Sequence, residues 1–267
     1  MRLNQRTIKK EVIVYGIGVN TGEPCTVKMT PSSQNTGIRF IKSKEILSAD
    51  LSNLGDSNSN TSLTHGDFKL ETVEHLLSCL YGLFIDNVLI EVTGKEIPIG
   101  DGSAKIFYDA ISRVGIKEIP NSLRTVLKIT KRITVREGTN RRITITPAKK
   151  STIDYSIDWH PIIKGKYIYI HGGSNYEDIA FAKTFAERSH IARIKKENRA
   201  KGLEIGKNCI DIDSKDAVKS KKYVKHKVLD LLGDFSLLYG LHFEGKITAV
   251  NAGHNLHHKL LKRLLDA

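Results

Sequence analysis

Glu71-Thr72-Val73-Glu74-His75-Leu76-Leu77-Ser78-Cys79-Leu80-Tyr81-Gly82-Leu83 is the stretch on which the fold turns. Val73, Leu76, Leu77, Leu80 and Leu83 fall at the spacing of one helix face. The strand-like run Asn87-Val88-Leu89-Ile90-Glu91-Val92 follows at once. The same order returns later, as a second histidine-bearing helical stretch, His226 to Tyr239, and then a strand, Lys246 to Val250. Strand signals precede each helix. In the first half they are Val12 to Tyr15 and Thr26 to Pro31, with a Ser- and Asn-rich loop carrying short strands from Leu51 to Thr64. In the second half they are Val126 to Val135 and Arg142 to Pro147. Thr30-Pro31 is followed by Thr36, and Thr146-Pro147 by Thr152, at equal spacing. A further helix is expected from about Ser103 to Ser112.

Strands gathered ahead of helices, instead of alternating with them, indicate α+β and not a doubly wound sheet. We read two layered domains of related topology, an internal duplication, spanning residues 1–121 and 122–267 and joined near Pro120 to Leu123. The letters alone leave open a chance likeness of two ordinary strand–turn segments. Packed face to face, the two domains place their histidine-bearing helices across one cleft. Gly16, Gly18 and Gly22 mark tight turns or bulges. No helical pattern follows them, which excludes a dinucleotide-binding reading.

The chain has 267 residues, 40% hydrophobic and 27% charged, which suits a soluble globular protein. No apolar run approaches the roughly 20 residues of a membrane span. The start, Met1 to Arg6, lacks an apolar signal core, so a cytoplasmic location is expected. Cys25, Cys79 and Cys209 form no Cys-x-x-Cys pair, which argues against a disulfide framework and a cysteine-rich metal site. Any metal must then be held by histidine and carboxylate. The formal charge is +13, with basic residues concentrated in Lys195 to Lys207 and Lys215 to Lys227. Such a balance attracts nucleotide diphosphates, membrane surfaces or nucleic acid, or simply solvates a face, and charge does not choose among these.

His226 and Asp230 stand at i and i+4, one above the other on a helix, so both can hold one metal ion. Asp234 lies four residues further on, and Val228, Leu229, Leu231, Leu232 and Leu237 would bury the helix. A buried stripe of polar groups needs a partner. The ordinary alternative is a solvent-facing His–Asp pair. Glu74 and His75 sit on an otherwise apolar helix, where a lone histidine is commonly a satisfied core residue. If both helices face one cleft, His75, His226 and Asp230 supply three metal ligands and Glu74 a general base. Gly253-His254-Asn255 falls at a strand-to-helix junction. From there His254 can stabilise an oxyanion or protonate a leaving amine, paired with Asp234, although a helix-terminal histidine without a role is equally ordinary. His257 and His258 read as exposed residues of the last helix, without a role.

Five motifs in order resemble the UDP-3-O-acyl-N-acetylglucosamine deacetylases, bacterial zinc enzymes with two α+β domains. They are Thr72 to Ser78, Ile85-Asp86-Asn87, Glu96 to Ser103, His226 to Asp234 and Gly253 to Leu256. The resemblance runs from Asn4 nearly to the C-terminus. It implies zinc as cofactor, with His75, His226 and Asp230 as ligands, Glu74 as base, and His254 held by Asp234 as the cationic partner of oxyanion and amine. It implies Thr184 as a hydroxyl helping to polarise the acetyl carbonyl, and Lys227 and Phe185 as substrate contacts. An acyl-chain insert is expected near residues 162–181. The implied reaction releases acetate from UDP-3-O-(3-hydroxyacyl)-N-acetylglucosamine in lipid A biosynthesis. The partner is then a small molecule and not nucleic acid, the chain a monomer, and any membrane contact transient.

Four departures from the family pattern touch substrate-shaping positions: Asn20 where a histidine is usual, Ala186-Glu187 after Thr184-Phe185, Gly206-Lys207-Asn208 for Gly-Gly-Ser, and the basic run Lys219 to Lys225. They motivate an alternative, the same chemistry on another acetamido sugar or nucleotide sugar. A basic scaffold for nucleic acid or anionic lipid is the non-enzymatic alternative, and it lacks the aromatic–basic interleaving that stacks bases.

Overall fold

Alternation of apolar and polar residues builds two sheets of the same design. In a computed structural model, which describes residues 4–56, 59–159, 163–212 and 221–266, Asn4–Ile8 (β1) leads into Val12–Ile17 (β2), Pro24–Pro31 (β3), Ile38–Lys42 (β4) and Glu45–Ser48 (β5). A hairpin of Leu63–His65 (β6) and Phe68–Leu70 (β7) precedes helix α1, Glu74–Gly82. Val88–Val92 (β8), helix α2 (Lys105–Val114) and Ile116–Leu123 (β9) complete this half. The second half opens with Val126–Lys128 (β10), Ile133–Glu137 (β11), Arg141–Thr146 (β12), Thr152–Trp159 (β13) and Ile163–Ile170 (β14). Glu177–Ala180 (α3), Phe185–Ala186 (β15), Arg188–Lys196 (α4) and Ile210–Asp211 (β16) follow. The chain ends with Lys221–Phe235 (α5), His242–Glu244 (β17), Lys246–Val250 (β18) and His254–Leu265 (α6).

The first sheet has the order β2-β3-β8-β4-β5, and the second β11-β12-β18-β13-β14. Pairing senses agree strand for strand: antiparallel throughout, except that β8 runs parallel to β4 and β18 parallel to β13. The central strand of each sheet follows a histidine-bearing helix and precedes another helix, so the expected α+β architecture with two related units is what the chain forms. The inward residues Val27, Met29 and Ile90 of one sheet and Ile145, Ile153 and Ile247 of the other are fully buried, as period-two patterning requires.

One expectation changes. Val126 to Val135 is not one strand. Its two ends pair in different sheets, β10 with β17 and β11 with β12, because Ile129 turns inward between them and its N–H bonds the Glu244 carbonyl. Pro120 to Leu123, where the halves are expected to join, belong to β9, which pairs antiparallel with β1. The segment expected as an acyl-chain insert is largely regular: β14 is an edge strand paired with β13 along its length, and α3 follows, while Ile162 lies outside the described residues. Of the second basic run, residues 215–220 also lie outside them. Among the described residues no helix is long and apolar enough to cross a membrane.

Candidate active site

Helix α1 is buried along its whole length, Glu74 and His75 included, because it packs against α5. Gly233 makes that approach possible: a Cβ there would lie 2.2 Å from the Glu74 carbonyl oxygen. The crossing brings His75 from α1 to His226 and Asp230 on α5, and one ligand atom of each lies within 4.8 Å of the others. Gly233→Ala should therefore push the helices apart. Overpacking of this kind costs about 1–3 kcal/mol. We expect a lower unfolding midpoint and at least a tenfold loss of activity, and a variant with wild-type values for both would contradict the crossing as described.

His75 Nε2 lies 3.7 Å, and His226 Nε2 3.4 Å, from Asp230 Oδ1. These separations are too long for hydrogen bonds. They suit atoms sharing one tetrahedral ion, where bonds of about 2.0–2.1 Å put ligands roughly 3.4 Å apart. The Nδ1–H of His226 donates to the Ala182 carbonyl at 2.9 Å, which leaves the Nε2 lone pair for a metal. Among the described residues the buried Nδ1 of His75 finds no hydrogen-bond partner, so within them this ring is not a satisfied core histidine. Burial holds His75 down to about 3, with His226 adding to the effect, so the imidazole is neutral as a ligand must be. Asp230 stays ionised: burial opposes this, but His226, Lys227, His254 and His75 together hold its carboxyl below the usual range.

A second cluster of acid and imidazoles differs in kind. Asp234 Oδ2 accepts from His254 Nδ1 at 2.8 Å and from His257 Nδ1 at 2.7 Å, and Thr61 Oγ1 donates to Oδ1. These are direct hydrogen bonds with no room for an ion between the partners. His258 Nε2 lies 3.1 Å from Thr61 Oγ1. His257 and His258 are thus buried, contrary to the expectation that they are exposed. His254, His257 and His258 lie at i, i+3 and i+4 and share one helix face, a spacing from which their burial could have been read. Burial alone would lower His254, but Asp234, Asp230 and Glu74 outweigh it and raise it to about 9. Its Nε2 points to the site, 3.9 Å from Glu74 Oε1 and 3.9 Å from Asp230 Oδ2.

Burial pushes Glu74 up to about 7, against the pull of His254. Its Oε2 accepts from the Thr61 N–H at 2.9 Å. The turn that delivers α1 is strained: Thr72, β-branched, has φ of 57°. Such a conformation costs about 1–3 kcal/mol and persists only where the surroundings enforce it. Here its hydroxyl donates to buried Glu96 at 2.7 Å and accepts from Asn60 at 3.0 Å. Glu96 also accepts from the Asn20 side chain and from the N–H groups of Asn20 and Thr21. Sequence reading placed Glu96 in a family-like motif without giving it a role, and it did not single out Thr61, which sits in an irregular loop with no periodic signal.

A cavity of about 400 Å³ is lined by Glu74, His75, Thr184, Phe185, His226, Lys227, Asp230 and His254, with Asp234 behind His254. Lys227 Nζ donates to Asp230 Oδ2 at 2.8 Å and lies 5.6 Å from the Phe185 ring centre. One wall is apolar, formed by Val19, Ile99, Ala186, Ile194 and Leu203, and Arg193 and Arg199 stand beside it. That wall comes largely from the β15–α4–β16 unit, which has its own small core of Ile191, Ala200, Leu203 and Cys209. Asn20, one of the departing residues, lies on the cavity, its side chain turned to Glu96. Glu187 precedes α4 as its N-cap residue, and Asn208 is buried, bonded to Glu204 and Gly202.

The site thus joins a three-ligand group able to hold a metal, a buried carboxylate, and an imidazole kept cationic by an aspartate. The LpxC family pattern, UDP-3-O-acyl N-acetylglycosamine deacetylase, matches residues 5–266. Among curated relatives, the UDP-3-O-acyl-N-acetylglucosamine deacetylase of Nautilia profundicola is 35% identical, over 98% of this chain and 92% of its own. Those of Coxiella burnetii and Pseudomonas entomophila are 34% and 32% identical, each over 98% of this chain and 90% of its own. The chain belongs to the UDP-3-O-acyl N-acetylglycosamine deacetylase family.

Proposed function

We propose that this chain hydrolyses the N-acetyl group of UDP-3-O-(3-hydroxyacyl)-N-acetylglucosamine, giving acetate and the free 2-amino sugar nucleotide, in lipid A biosynthesis. The observation that carries the reading is the convergence of Glu74, His254 and the His75–His226–Asp230 group on one cavity. Two imidazoles and one carboxylate are a donor set suited to zinc, and we assign these residues as its ligands. When bound, zinc supplies Lewis-acid chemistry, polarising a carbonyl and acidifying water toward neutrality.

The chain's own groups do the rest. Glu74, steadied through Oε2, takes the proton of the attacking water at Oε1. His254, its Nδ1–H fixed on Asp234, turns an Nε2–H toward the reacting carbon's oxygen and the departing nitrogen. Thr184 offers its hydroxyl from the cavity wall as a further donor. Lys227 and Phe185 contact the sugar nucleotide, and the apolar wall from Val19 to Leu203 takes the acyl chain, in place of residues 162–181. We divide the chain near residue 121 and treat it as a monomer, touching a membrane surface at most transiently. The three free, buried cysteines accord with a cytoplasmic setting.

The test is acetate release from the 3-O-acylated substrate beside UDP-N-acetylglucosamine lacking the acyl group. Strong preference for the acylated compound is expected. Equal turnover of both would favour a deacetylase of another acetamido sugar or nucleotide sugar, which the altered Asn20 and Ala186-Glu187 positions motivate.

A further inference from the structure

Thr61 places every one of its polar atoms on the catalytic apparatus. Its backbone N–H donates to Glu74 Oε2 at 2.9 Å, and its carbonyl accepts from the N–H of Val73 at 3.1 Å, at the start of α1. Its hydroxyl donates to Asp234 Oδ1 on α5. Thr61 Oγ1 also lies 3.1 Å from His258 Nε2 and 3.1 Å from His254 Nδ1, both on α6. A hydroxyl has one proton and two lone pairs. With the proton spent on Asp234, a lone pair accepts the Nε2–H of His258, while the Nδ1–H of His254 stays on Asp234 Oδ2 and only its shoulder faces the hydroxyl. The residue is fully buried. One residue of an irregular loop thus spans the group assigned as base, through its backbone N–H, and the group assigned as acid, through its hydroxyl, and these come from the two halves of the chain.

We propose that Thr61 is a positioning residue for the deacetylation reaction, setting the base Glu74 against the Asp234–His254 pair. This rests on the functional reading given above. His258, through its N–H to the Thr61 hydroxyl, orients that hydroxyl's proton toward Asp234. Loss of the hydroxyl leaves Asp234 Oδ1 without its donor and frees the imidazole to turn. Small misplacements of catalytic groups reduce rates by factors on the order of ten to a hundred.

The experiment compares Thr61→Val, which keeps shape and backbone, with Thr61→Ser, which keeps the hydroxyl, and scores rates per zinc-loaded chain. The expected result for T61V is a kcat at least about tenfold lower, with KM within about twofold and zinc stoichiometry unchanged. T61S should retain kcat within about threefold. Combined with Asp234→Asn, T61V should add little further loss, because Thr61 acts through Asp234. A kcat for T61V within twofold of wild type, or full additivity with D234N, overturns the proposal. If T61V fails to fold, Thr61→Ala is read in the same way. A second readout needs no turnover. In histidine-labelled protein the downfield Nδ1–H resonances of His254 and His257 should shift in T61V or T61A and hold in T61S. Unshifted resonances overturn the proposal even if the substrate assignment fails, whereas absence of acetate release by the wild type indicts only that assignment.

Discussion

Glu74→Ala should lower turnover by about 10²–10⁴-fold, the usual contribution of a positioned general base, while the protein still binds one metal ion per chain. The separation of these effects follows from geometry. The ligand atoms that gather within 4.8 Å belong to His75, His226 and Asp230, and Glu74 is not among them. Its carboxylate is instead held by the Thr61 N–H on one side and lies 3.9 Å from His254 Nε2 on the other. Burial lifts its pKa to about 7, near the range where a base both holds and releases protons at neutral pH. Glu74→Gln, which keeps an acceptor for Thr61, should lose activity as severely while unfolding at nearly the wild-type temperature. Either variant retaining more than about a tenth of wild-type activity would remove Glu74 from the role of base. Loss of the metal with either would instead make Glu74 a ligand.

Asp234→Ala should be the most destabilising substitution in the site. Asp234 is wholly buried and accepts hydrogen bonds from His254, His257 and Thr61, with His258 Nε2 3.4 Å from Oδ1. Breaking a buried charge pair by removing one partner costs about 3–5 kcal/mol, since the other is left unpaired. Activity should fall with it, because His254 loses both its orientation and the charge that keeps it protonated. The pH dependence gives an independent check on metal-free protein. His254 is raised from 6.5 to about 9, so between these values the folded chain keeps a proton that the unfolded chain has lost. Its contribution is therefore fully present below about pH 6.5 and disappears as pH rises through about 9. The stability difference between wild type and His254→Gln should shrink across that window. In an Asp234→Asn background the shrinkage should be largely gone. A difference that grows with rising pH would contradict the pairing.

Much of this arrangement is legible in the letters because helical and strand periods differ. The spacing of Val73, Leu76, Leu77 and Leu80 marks α1, and His226, Asp230 and Asp234 mark one stripe of α5. The duplicated order of elements survives as two sheets with matching order and pairing sense, although few residues repeat. What stays hidden depends on tertiary packing. A polar residue's burial is decided by its partners, so His257 and His258 look like surface residues until Asp234 and Thr61 are seen to receive them. Thr61 and Glu96 lie in segments without a period, and only the folded chain brings them to Glu74 and Thr72. The break between β10 and β11 is likewise invisible in a run of strand-forming residues, because it depends on where Ile129 finds its cavity. Periodicity likewise could not tell that residues 163–170 form a sheet strand while the apolar wall of the cavity is drawn from residues 186–203.

Two of the departures from the family pattern, Asn20 and Ala186, line the cavity, and neither is in the ligand group. Asn20 is bound to Glu96 and lines the cavity, and Ala186 belongs to the apolar wall beside Ile194 and Leu203. Arg193 and Arg199 place positive charge next to that wall. The proton-transfer groups Glu74 and His254 meanwhile remain in reach of one another.

The most direct test is a zinc titration of chelator-stripped protein, read as acetate release from UDP-3-O-(3-hydroxyacyl)-N-acetylglucosamine, beside the same titration of Asp230→Ala. We expect no release before zinc is added, a linear rise to a plateau at one zinc per chain, and no comparable rise for the variant. Full release by the stripped protein, or an equal rise in Asp230→Ala, would contradict a metal-dependent deacetylase built on His75, His226 and Asp230.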